Sequence, residues 1–98
     1  MATYLNGIGE AHFFSRRFHE AAAALLASLE RVPSFPVTYR VLAACYAHMG
    51  RVDEAREIVK RLRAVTPVVM EHAMRYRNPE HRELYLSGLR LAVAGELT

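Results

Sequence analysis

The chain repeats itself at a spacing of 34 residues. Ala21 recurs as Ala55, Pro33 as Pro67, Ile8 as Leu42, His12 as Tyr46, Phe18 as Val52 and Leu25 as Val59. That period, with a small residue early and a proline at the end, is the mark of a helix–turn–helix unit. Such a unit cannot bury its apolar face alone, so copies stack, and the stack presents a surface for binding rather than for chemistry.

With 98 residues the chain is read as a single domain, 1–98. Its hydrophobic content of 52% is enough for a packed core, much of it alanine, the best helix former and one that lets helices approach closely. A first helix is expected over about 3–15, with Leu5, Ile8, Ala11 and His12 along one stripe. A second, about 18–31, is apolar too broadly for a one-faced helix and should pack on two sides; Pro33 and Pro36 end it.

Ser34 is the expected N-cap of a third helix, about 36–49, with Pro36 in its first turn. Tyr39, Leu42, Ala43 and Tyr46 fall at i, i+3, i+4 and i+7, and Gly50 stops the helix in a left-handed conformation. Asp53 should cap a fourth helix over about 53–65. Its inward stripe is Ala55, Ile58, Val59 and Leu62, with Glu57, Lys60, Arg61 and Arg63 outside. Residues 68–77 read either as a short helix or as a connection. Asn78–Pro79 then starts a last helix to about Ala94, with Leu84, Leu86, Leu89, Leu91 and Val93 apolar, Gly88 weakening it and Gly95 ending it.

Lys and Arg number 13 against 10 Asp and Glu, a formal charge of +3. The basic clusters Arg16–Arg17 and Lys60–Arg63 stand among acidic neighbours, as in Asp53–Glu54–Ala55–Arg56–Glu57. That mixture is a solvated helix face more than a nucleic-acid footprint. Nucleic-acid binding through the two clusters stays as the alternative from another functional class, and steep salt dependence would mark it. Cys45 is the single cysteine, which forbids an intrachain disulfide and favours a cytoplasmic setting. No apolar run approaches the roughly 20 residues of a membrane span, and no secretory signal pattern opens the chain.

Chemistry finds no foothold. His12 with His19, and His72 with His81, do not share one face of an uninterrupted helix with further ligands, so no metal is expected. Cys45 has no obvious base beside it and reads as a small buried residue. No glycine-rich phosphate loop or nucleophile elbow occurs. The expectation is therefore no catalytic residue, no cofactor and no enzymatic activity.

These residues resemble the tetratricopeptide repeat family. In a second unit, about 36–69, Tyr39, Leu42, Ala43, Tyr46, Gly50, Ala55, Val59, Leu62 and Pro67 occupy the signature positions. In a first unit, about 2–35, Leu5, Ile8, Gly9, Ala21, Leu25, Ser28 and Pro33 do so, with Arg16 at the usual turn glycine and His12 at the usual tyrosine. The resemblance implies an all-α fold: two helical hairpins in a short right-handed solenoid, with a capping region over about 70–98. A narrower resemblance, carried by residues 32–51 and 77–90, is to the C-terminal repeats of bacterial adenylate or guanylate cyclase-like signalling proteins. It implies a regulatory tail, without the cyclase active site, of a larger protein, with a free-standing adaptor as the alternative; the chain's entry into a repeat helix almost at once fits the tail.

The family's first helices line a concave surface. By position, the resemblance places Asn6, Glu10, Phe13 and Phe14 of the first unit there, with Arg40, Ala44, Ala47 and His48 of the second. The groove would receive a protein or peptide partner, extended or helical. Phe13 and Phe14 have the alternative of packing against the second helix, whereas Arg40 and His48 are expected exposed. Glu10 stands where the family's carboxylate clamp needs an amide, so that mode is rejected. The last helix has two readings. Either it caps the second unit, or its stripe of Leu84, Leu86, Leu89 and Leu91 meets another chain. Dimerisation through the uncovered first helix is a further route.

Overall fold

The computed structural model describes residues 2–67 and 77–96. Five helices follow in order: α1 (Ala2–Phe14), α2 (Phe18–Arg31), α3 (Pro36–His48), α4 (Val52–Val65) and α5 (Pro79–Glu96). There is no strand among the described residues, so the fold is all-helical as expected. Of the stretch 68–77 only Arg77 is described, and it is not helical; the question of a helix there lies outside the described residues.

α1 with α2 and α3 with α4 form two hairpins whose corners match bond for bond. In the first, the Arg17 N–H donates to the His12 carbonyl (2.8 Å) and the Arg16 N–H to that of Phe13 (3.0 Å). In the second, Arg51 donates to Tyr46 (2.9 Å) and Gly50 to Ala47 (3.1 Å). This is the double closure in which a left-handed residue ends a helix. Each corner then starts the next helix with an arginine that reaches a glutamate three residues on, Arg17 to Glu20 at 3.0 Å and Arg51 to Glu54.

Two expected caps move. α4 begins at Val52 with Arg51 at its N-cap, so Asp53 sits inside the first turn and acts through its charge on the helix N-terminus. α3 begins at Pro36 with Phe35 at its N-cap, so Ser34 stays outside. The bend between hairpins is tied instead by the Tyr39 hydroxyl, which donates to the Pro33 carbonyl at 2.5 Å. Asn78 does cap α5, accepting from the N–H groups of Glu80 (2.8 Å) and His81 (3.4 Å), and that helix continues through Gly95.

α3 is the axis of the molecule. Every residue from Thr38 to Ala47 is buried, because α2, α4 and α5 all pack along it and α1 meets it at a few points. The alanines Ala43, Ala44 and Ala47 make room for that crowding. α5 lies against α3 as extensively as α4 does, and also touches α4. It is turned from the expected stripe: Leu84, Tyr85, Gly88, Leu89 and Ala92 are buried, Leu86 and Val93 half-buried, and Leu91 is 53% exposed. The leucine stripe is thus split, with Leu84 and Leu89 spent inside the chain as the capping reading requires. In α1 the buried line is Asn6, Gly9 and Phe13, with Ala11 exposed. Gly9 fixes that choice, since a Cβ there would lie 2.6 Å from the Leu25 Cγ of α2.

Candidate partner-binding groove

The eight residues placed on the concave surface divide into ties, walls and contacts. Asn6 is a tie. It is 5% exposed, its Oδ1 accepts from the Thr38 hydroxyl of α3 at 2.8 Å, and its Nδ2 donates to Glu10 Oε2 at 3.3 Å. Its polar atoms join α1 to α3. Phe13 is a wall, fully buried with Phe14 edge-on at 5.2 Å, Phe18 at 5.7 Å and His48 at 6.0 Å between ring centroids. It takes the packing alternative.

Arg40 departs from expectation. It is 6% exposed, on a helix whose neighbours close over it. Ala44 and Ala47 are buried in the same way. Glu10, Phe14 and His48 are half-buried.

What covers α3 on this side is α5. The His48 ring stacks on Phe18 (5.5 Å, 13° between planes), and its Nε2 lies 2.7 Å from the Leu84 carbonyl. A carbonyl only accepts, so that nitrogen carries the proton. Phe14 stacks on His81 of α5 at 4.4 Å and 13°. Between these, the α5 backbone comes down on α3 at Gly88. A Cβ there would lie 2.8 Å from the Ala44 carbonyl oxygen and 2.7 Å from the His48 ring. The structure therefore gathers Phe14, Ala44 and His48 around one helix, leaving a cleft beside it lined by Arg16, His48, Glu80, Glu83, Leu84 and Ser87.

Thr38, His81, Leu84, Tyr85 and Gly88 complete this arrangement and are absent from the sequence-based groove. A glycine amid leucines in mid-helix was the available signal, since it often marks close backbone approach. Cys45 is buried, its Sγ 3.1 Å from the Phe18 carbonyl, and burial pushes the thiol up to about 12. Among the described residues no group of three or more His, Cys, Asp and Glu is placed to hold a metal, and no helix is long and apolar enough to cross a membrane.

Neither the curated proteins nor the solved structures searched contain a match to the chain. The family model described as tetratricopeptide repeat matches residues 15–75, from the first corner through α4 and beyond. With more than half of its length in that match and two hairpins closed by the same bonds, the chain belongs to the tetratricopeptide repeat family.

Proposed function

We propose that the chain is a non-catalytic protein–protein interaction module that receives a helix on the face built from α1 and α3. Repeats of this family generally mediate protein–protein interaction. The observation that carries the reading is the seat of α5, where Phe14, Ala44 and His48 accept a helix backbone at close range over a glycine. The finer setting is a regulatory C-terminal tail of a larger, bacterial, cytoplasmic nucleotide-cyclase-like signalling protein. Residues 32–51 and 77–90, which resemble such tails, support that setting.

The nucleic-acid alternative draws little from the charge distribution. Arg17 pairs with Glu20, Arg51 with Glu54, Arg56 with Asp53, Lys60 with Glu57 and Arg90 with Glu83, so carboxylates sit among the cations along α2, α4 and α5. Selection of a helical peptide library on the full chain, followed by backbone amide shift mapping, tests the reading. The expected result is a family of binders whose shifts map to α1, α3 and α5. No binders, together with salt-steep binding of an oligonucleotide, overturns it.

A further inference from the structure

α5 is built like a ligand. Its buried residues Leu84, Tyr85, Gly88, Leu89 and Ala92 form one stripe at helical spacing, while Glu80, Glu83, Arg90, Leu91 and Ala94 face outward. It lies beyond the family match, which ends at residue 75 before α5 begins at Pro79. The repeat units proper are α1 to α4, and α5 is an addition laid across the second unit, against α3 and α4.

The contacts at its N-terminal half are of a kind that release cleanly. The His48–Leu84 hydrogen bond exchanges for one to water when the two part, and the apolar area of the Phe14–His81 stack, Leu84 and Tyr85 is buried again by an incoming helix of the same pattern. The cleft lined by Arg16, Glu80, Glu83 and Ser87 runs beside the His48–Leu84 bond and gives a competing helix a place to enter. Specificity resides at Gly88, because no side chain fits between the α5 backbone and Ala44.

We infer that α5 is a displaceable occupant of the groove, and that the external partner is an amphipathic helix repeating its stripe. That helix has a bulky apolar and an aromatic residue at the positions of Leu84 and Tyr85. Glycine follows at that of Gly88, leucine next, and a small residue at that of Ala92. The inference rests on reading α1 and α3 as the receiving face. Free chain is then self-occluded, and a partner's apparent affinity is lowered by the fraction of time α5 stays seated.

The test uses the full chain, unaltered and as Gly88→Leu, with a fluorescent peptide of residues 77–96 as the probe. Gly88→Leu unseats α5, so the peptide should bind the variant about tenfold or more tightly than the unaltered chain. A peptide itself carrying Gly88→Leu should bind neither. Equal binding to both chains, or none to a variant that still melts cooperatively, overturns the inference. Should the variant fail to fold, hydrogen exchange on the unaltered chain decides. Leu84–Ala92 amides exchanging about tenfold faster than those of Leu42–Tyr46 support an independently opening α5, and equal rates overturn it. Library binders on a chain with fixed α5 would sink this inference while leaving the interaction reading intact. A mobile α5 with no external binder would overturn both.

Discussion

Arg16 and Gly50, 34 residues apart, turn the same corner with the same left-handed backbone, φ 61° at the arginine and 77° at the glycine. Both end a helix through the same pair of hydrogen bonds. The repeat is thus conserved in backbone geometry where it is broken in sequence. The first corner holds an L side chain in a conformation that costs roughly 1–2 kcal/mol for any residue but glycine.

Arg16→Gly should therefore stabilise the chain by about 1 kcal/mol, less what glycine's extra freedom adds to the unfolded state. The Arg16 side chain is exposed, so little packing is lost. A rise in Tm of about 4 °C is expected on heating with circular dichroism as the readout. The mirror change, Gly50→Ala, should lower Tm by a similar amount. An unchanged Tm for Arg16→Gly would mean that this side chain contributes contacts worth as much as the strain.

Two glycines of α1 should respond oppositely to the same substitution. Gly7 is exposed with nothing within 4 Å of an added Cβ, so Gly7→Ala should stabilise by about 1 kcal/mol through helix propensity. Gly9 faces Leu25, whose Cγ and Cδ2 would lie 2.6 and 2.7 Å from a new Cβ. Gly9→Ala should destabilise by about 1–3 kcal/mol, overpacking outweighing propensity. Urea midpoints that move in the same direction for both variants would remove the α1–α2 close approach as an explanation.

Helix positions were legible from proline, glycine and the 34-residue period, since Pro36, Gly50 and Asn78–Pro79 act on backbone within a turn of themselves. The caps expected at Ser34 and Asp53 are displaced because Phe35 and Arg51 hold positions where Ser or Asp is usual, with no side-chain cap bond to reveal them. The groove was legible only as a list. Which of its members stay open depends on where α5 crosses α3, and that is settled by contacts between residues 44 apart, Ala44 near Gly88. Local periodicity carries no information on such a crossing. It counted Leu91 as core because it is leucine, and passed over Tyr85 and Gly88, which face inward.

The Asn6–Thr38 bond links α1 to α3 inside the fold. Thr38→Val leaves the Asn6 carbonyl oxygen buried without its donor, at a cost of about 1–3 kcal/mol. Removing both partners with Asn6→Leu and Thr38→Val should cost less than the two single changes together, by about 0.5 kcal/mol or more. Strict additivity in urea unfolding would show that the two side chains do not depend on each other.

Cys45 gives the fold an alkaline limit. Burial lifts its thiol from 9.0 to about 12, so in the folded chain it keeps its proton where the unfolded chain sheds it. The folded state then binds more protons than the unfolded one, and stability falls with rising pH. The contribution is whole below about pH 9 and disappears as pH climbs through 12. Cys45→Ala should start less stable, because it empties part of a fully buried site, yet lose stability less steeply from pH 9 upward. Tyr46, raised chiefly by burial and least by Cys45, titrates in both proteins, so most of its effect drops out of the comparison of urea midpoints at pH 8 and 10.5. The same burial makes the native thiol slow toward a disulfide reagent at pH 8 and fast in denaturant. Parallel stability curves for the two proteins, or rapid native labelling, would place Cys45 in contact with water and contradict its packing against Phe18.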